Sequence, residues 1–144
     1  VGPALDPGPR RLHRRDLDLR QEAASWMHYV GLEAYVASAA DAMPYGALKR
    51  LEIARALALR PRILFLDEPA AGLNPKETQA VDALVRKVAD SGITVVLVEH
   101  DMKLVMNLSD RILVLNYGRK LAEGSAAQVR CNPEVIAAYL GAHP

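Results

Sequence analysis

A chain of 144 residues, 51% of them hydrophobic, can close one core of useful size, which excludes wholesale disorder. Its formal net charge of +1 gives no overall electrostatic attraction to nucleic acid, to an acidic substrate or to an anionic membrane. One cysteine, Cys131, excludes an intrachain disulfide and suits a reducing compartment, while the longest apolar runs fall short of the roughly 18 residues a membrane helix needs.

Residues 1 to 9 are rich in proline and glycine and predict a frayed start without regular structure. Arg10, Arg11, Arg14 and Arg15 form a basic cluster, but residues of mixed sign follow at once, so a solvated helix face is a simpler reading than a phosphate site. From about Leu17 to Val30 the positions Leu19, Ala23, Trp26, Met27 and Val30 recur at helical spacing, and Gly31 provides a stop. A second short helix is expected over 32–40 with Tyr35 and Val36 inward, before Asp41 to Pro44 break the pattern. Another helix runs from about Ala47 to Leu59, where Pro61 ends it. Gly46 stands at its start. A glycine there admits a phosphate or another backbone, and the unpaired N–H groups attract anions, although an ordinary helix start is the simpler reading of Gly46 alone. Lys49, Arg50 and Arg55 either strengthen an anion site or form an exposed face.

Ile63-Leu64-Phe65-Leu66 is a run of four apolar residues, followed by Asp67-Glu68-Pro69. The run reads as a parallel strand buried on both faces that delivers two carboxylates to the sheet's edge, where active sites of α/β folds form. Asp67 suits a magnesium ion carried by nucleotide phosphates, and Glu68 suits the activation of an attacking water. The implied chemistry is phosphoryl transfer to water. After Ala70-Ala71-Gly72-Leu73, Asn74 caps a helix of 76–90, with Pro75 at its first position, Glu77 at the capping-box site and a buried stripe of Val81, Leu84, Val85 and Val88. Residues 93–98 then form a second buried strand, parallel to the first, ending in Glu99-His100-Asp101. Two strand ends thereby bring Asp67, Glu68 and His100 to one edge. A short helix over 102–108, a hairpin of 111–115 and 120–123 through Tyr117-Gly118, and helices opening at Gly124-Ser125 and at Asn132-Pro133 complete the chain, with Gly141 as the last stop. Cys131 and His143 lack the partner spacing of a metal site.

Together these stretches resemble the ATP-binding subunit of an ABC transporter, from about residue 20 to the end. Met43-Pro44-Tyr45-Gly46-Ala47 resembles a variant of that family's signature, Leu-Ser-Gly-Gly-Gln. Residues 63–69 resemble its Walker B strand, 71–74 its D-loop, and His100 its switch histidine. The wording Pro-Tyr-Gly, Asp-Glu-Pro-Ala-Ala-Gly-Leu-Asn-Pro and Glu-His-Asp-Met-Lys-Leu-Val-Met is similar to importers of branched-chain amino acids. The resemblance implies ATP and Mg²⁺ as cofactors, Asp67 as the magnesium-organising residue, Glu68 and His100 as catalytic, and Tyr45, Gly46, Ala47 and Asn74 as nucleotide-facing. It also implies a second ATPase subunit and transmembrane permease subunits as partners, with a cytoplasmic place on the inner face of the plasma membrane and neither nucleic acid nor direct membrane insertion.

The implied fold is an α/β P-loop NTPase of the ABC type, truncated to part of the helical subdomain and the C-terminal half of the parallel-sheet core. Its expected parts are a frayed or cut segment over 1–19, a helical subdomain remnant over 20–60, the core half over 61–123 and C-terminal helices over 124–144. No G-x-x-x-x-G-K followed by Ser or Thr occurs, so the phosphate-cradling loop of such a subunit is absent from this sequence. In the fold it resembles, the strand carrying that loop lies between the strands of 93–98 and 111–115. Those two strands are therefore expected to flank an empty slot, or to collapse into a pairing of their own, with the hydrogen bonds of Val96 and Leu113 telling which. Two functions compete: an ATPase part that energises amino-acid import, and an interaction module or inert product that pairs with an ABC ATPase without hydrolysis.

Overall fold

The computed structural model describes residues 9–140. Helix α1 (Pro9–Tyr29) begins at its proline rather than near Leu17. Proline suits a first helical position, and the Arg- and Leu-rich stretch behind it has high helix propensity, so the helix extends beyond the part that packs. Residues 15–20 are all exposed and Arg20 pairs with Asp16 one turn back at 2.9 Å, so the charged stretch there is a solvated face. Leu19 and Ala23 are exposed too; the apolar stripe reaches the core only from Trp26 to the buried Val30 and Leu32. The frayed start expected over residues 1–9, and the frayed or cut segment over 1–19, are therefore helical from Pro9 onward, while residues 1–8 and the stop at Gly141 lie outside the described residues.

In place of a helix over 32–40 there are two 3₁₀ turns, Glu33–Tyr35 and Ala40–Ala42. So short a segment makes too few hydrogen bonds to offset helix nucleation. Tyr35 packs against the core as expected, whereas Val36 is exposed. Helix α2 (Tyr45–Ala58) buries Ile53, Ala54 and Leu57. Its Arg50 donates from Nη1 to the carbonyls of Gly31 at 2.8 Å and Val30 at 3.3 Å, covering acceptors that the end of α1 leaves open. Arg50 is thus a cap for α1 rather than part of an anion site.

Strands β1 (Ile63–Asp67) and β2 (Thr94–Val98) pair in parallel, joined by α3 (Pro75–Asp90). The local chemistry of α3 is as its sequence predicts: Asn74 Oδ1 accepts from the N–H groups of Lys76 and Glu77, both at 3.0 Å, and Val81, Leu84, Val85 and Val88 are buried. The strands differ from expectation. They bury one face, with Leu64 only 5% exposed but Ile63 and Phe65 52% and 73% exposed. α2 and α3 share the core with Leu64, and among the described residues no helix covers the opposite face.

After α4 (Met102–Leu108), strands β3 (Ile112–Asn116) and β4 (Arg119–Gly124) form an antiparallel hairpin. Its turn residues Tyr117 and Gly118 both have positive φ, 46° and 75°, the type I′ geometry that matches strand twist. Helices α5 (Ala126–Arg130) and α6 (Pro133–Val135) and a π-helical turn, Ile136–Leu140, follow. Val129 and Val135 join Ile112 and Val114 in a second apolar cluster.

The two sheets stay separate, and a cleft of about 790 Å³ lies between β2 and β3, lined among others by Val95, Leu97, Leu113 and Tyr139. The slot expected from the sequence is open, and its edges have not collapsed together. Register decides which groups face it. The Thr94 N–H donates to Arg62 and the Glu68 N–H to Val98, so 94, 96 and 98 turn their peptide groups to β1, while Val95 and Leu97 turn theirs to the cleft. Val96, expected to report on the slot, faces β1 instead.

Candidate functional site

Asp67 is the last residue of β1, and the ladder continues one step as the Glu68 N–H donates to Val98 at 2.9 Å. There the backbone turns left-handed, with Glu68 at φ 44°, a conformation uncommon for a non-glycine residue. The Glu68 carbonyl accepts from Ala71 at 3.1 Å and closes the turn. Glu68 Oε1 lies 3.1 Å from His100 Nδ1, the histidine coming from the end of β2. Both side chains are open to a ligand, at 50% and 74% exposed. With its proton on Nδ1 the ring donates to the carboxylate and presents Nε2 outward.

Asp67 is exposed at the same edge. Among the described residues no three or more His, Cys, Asp or Glu side chains converge as a metal cage. A magnesium ion held by one carboxylate, nucleotide phosphates and water needs no such cage, and the Asp67 oxygens suit it; bound there, the ion would neutralise phosphate charge.

Glu99 and Asp101 flank His100. Glu99 Oε2 accepts the His100 N–H at 3.3 Å while its Oε1 is buried without a partner among the described residues, and Asp101 caps α4 through the N–H groups of Lys103 at 2.8 Å and Leu104 at 3.2 Å. Asp82 of α3 senses both acids: burial first, then the charges of Asp101 and Glu99, raise its pKa above the ordinary aspartate value. An acid whose pKa is raised by folding contributes stability below its ordinary pKa and loses it as pH rises through the shifted one. Asp82→Asn removes that charge, so the variant should unfold at higher urea than the unsubstituted chain at pH 7, with the difference gone below about pH 3.8. Urea midpoints at the two pH values check this. An unchanged or lower midpoint at pH 7 would rule out the repulsion.

The other predicted residues gather at the start of α2. Tyr45 is 53% exposed, with Lys49 Nζ 5.6 Å from its ring centroid. Gly46 is buried, and Ala47 is turned into the core with its N–H donated to Pro44 at 2.9 Å. The N–H groups of Tyr45 and Gly46, one step earlier, have no helical acceptor. Asn74 is exposed, but its side-chain oxygen is spent on the cap of α3. Glu68 and His100 thus touch, Asp67 adjoins them, and Tyr45, Gly46 and Asn74 form a second group connected through the loop of 70–74. The left-handed backbone at Glu68 has no signal in the sequence, since no glycine or asparagine marks it.

Among the described residues no helix is long and apolar enough to cross a membrane. The ABC transporter family matches residues 6–71, and the family of branched-chain amino acid ATP-binding cassette transporters matches residues 119–144. The high-affinity branched-chain amino acid transport ATP-binding protein BraF of Pseudomonas aeruginosa is 51% identical over 129 residues, 89% of this chain and 51% of the relative. LivG of Escherichia coli, which carries the same description, is 49% identical over 136 residues, 94% of this chain and 52% of the relative. The chain therefore spans about half the length of these curated relatives. Among solved structures, an ATP-binding cassette of an ABC transporter in its ADP conformation superposes with a TM-score of 0.76 at 29% identity, covering 84% of this chain and 49% of that one. A Clostridium perfringens protein, cbiO1, part of the ABC transporter complex cbiONQ, gives 0.74 at 28% identity, covering 85% and 49%. With the shared fold in agreement with these matches, the chain belongs to the ABC transporter family and is similar to its ATP-binding proteins over about half their length.

Proposed function

We propose that this chain supplies the magnesium-organising and water-activating part of an ATPase that energises branched-chain amino-acid import. The observation that carries the reading is the 3.1 Å contact of Glu68 with His100 at the edge where β1 and β2 end, beside Asp67. In this reading Asp67 holds the magnesium ion of MgATP, Glu68 takes a proton from the attacking water, and His100 offers Nε2 to the γ-phosphate. Gly46 and the free N–H groups of the first turn of α2 meet a nucleotide held by a second ATPase subunit, with Tyr45 at the rim, Ala47 supporting from the core and Asn74 shaping the facing loop. The transmembrane permease subunits then receive the motion at the cytoplasmic face of the membrane.

Because residues 1–144 contain no phosphate-cradling loop, this chain alone should bind MgATP too weakly to saturate in the micromolar range and should not hydrolyse it. Joined to the half of the Escherichia coli relative that it does not match, it should turn ATP over. Titration with labelled ATP and a phosphate-release assay on the two proteins test this. Saturable micromolar binding by the chain alone, or a correctly folded chimera without turnover, would count against the reading; dimerisation of that inactive chimera would favour an interaction module instead.

A further inference from the structure

Helices α2 and α3 meet at their N-termini through two glycines, each occupied by a side chain from the other element. A Cβ built on Gly46 would lie 2.5 Å from Glu77 Oε1 and 2.7 Å from its Cδ, so the carboxylate rests directly on the Gly46 backbone. A Cβ on Gly72, in the loop before α3, would lie 3.4 Å from the ring of Tyr45. Gly46 does not have the positive φ that Gly72 has, so what excludes a side chain at 46 is the carboxylate rather than the backbone conformation. The same carboxylate also accepts the Asn74 N–H through Oε2 at 3.1 Å, while the Glu77 N–H donates to Asn74 Oδ1 at 3.0 Å.

A capping box needs only an acceptor at the position of Glu77; it does not need a glycine from a different helix beneath it. The geometry points to Glu77 as a positioning residue that locks the loop of 70–74 to the first turn of α2. Asp67 and Glu68, at the root of that loop, then keep one placement relative to Tyr45 and Gly46. The catalytic consequence rests on the ATPase reading above, whereas the interlock itself does not.

In the chimera, Gly46→Ala sets a methyl against the end of the Glu77 side chain, which must leave its place on the Asn74 N–H to make room, and should lower kcat by about ten-fold with a smaller change in KM. Adding Glu77→Ala vacates the space and should recover most of that loss. Were Gly46 important only for touching phosphate, Glu77→Ala would deepen the loss. Glu77→Gln, which keeps both shape and acceptor, should stay close to the unsubstituted chimera. Urea unfolding of the chimera without nucleotide gives a second measure: Gly46→Ala lowers the midpoint and Glu77→Ala raises it again in that background. If Gly46→Ala fails to fold and the double variant folds, the rescue is shown directly. Additive effects of the two substitutions on both kcat and midpoint overturn the interlock. A chimera that fails to hydrolyse ATP before any substitution refutes the ATPase reading instead, and the unfolding cycle then decides the interlock alone.

Discussion

Glu68→Gln, in the chimera with the unmatched half of the Escherichia coli relative, should slow ATP hydrolysis by about 10²- to 10⁴-fold while nucleotide binding persists. Glutamine keeps the length and the hydrogen-bonding oxygen of glutamate but cannot take the proton of the attacking water. Binding should survive because Glu68 is half exposed at a strand end, where the substitution removes no buried packing. His100→Ala should also slow turnover, since it removes both the imidazole that faces the phosphate in this reading and the group that holds Glu68 Oε1 at 3.1 Å. Single-turnover measurements at saturating MgATP separate chemistry from binding. A Glu68→Gln chimera that hydrolyses at the unsubstituted rate would end the assignment of Glu68 as base, and a normal His100→Ala rate would do the same for the histidine.

The second large effect concerns the cleft between β2 and β3. With that slot open, Val95 and Leu97 direct peptide groups at no strand among the described residues, and Ile63, Phe65, Val96 and Val98 leave much of one sheet face exposed. An open edge beside apolar surface is a template for association. The chain on its own is therefore expected to melt broadly and to aggregate on concentration. Addition of the unmatched half of the relative as a separate polypeptide should raise the melting temperature in a concentration-dependent way, with about 2.7 kcal/mol of stabilisation when the partner is at 100 times its Kd. Hydrogen exchange locates the effect: the amides of Val95 and Leu97 should exchange rapidly in the chain alone and become protected in the complex, while that of Val96, directed at β1, changes least. A sharp, high melting transition for the monomeric chain, or Val95 and Leu97 amides already protected, would overturn the expectation.

The sequence by itself determined the features that depend on neighbours a few residues away. Asn74, Pro75 and Glu77 specify the start of α3 because a cap, a fixed φ and a returning carboxylate act within one turn. Tyr117-Gly118 specifies the hairpin for a similar reason, and Asp67, Glu68 and His100 were legible as strand-end residues because they follow within two residues of an apolar run's end. Only the tertiary structure decided the rest. Leu19, Ala23 and Val36 have apolar positions in a helical pattern yet remain exposed, since periodicity marks a face and packing decides whether another element covers it. Ile63 and Phe65 read as doubly buried on hydrophobicity alone, but α2 and α3 share one side of their strand. The charge of Arg50 suggested an anion site, whereas its position in space assigns it to the open carbonyls of Val30 and Gly31. The contact of Glu77 with Gly46 spans 31 positions in the chain, and no local pattern encodes a distance that only the meeting of two helix ends creates.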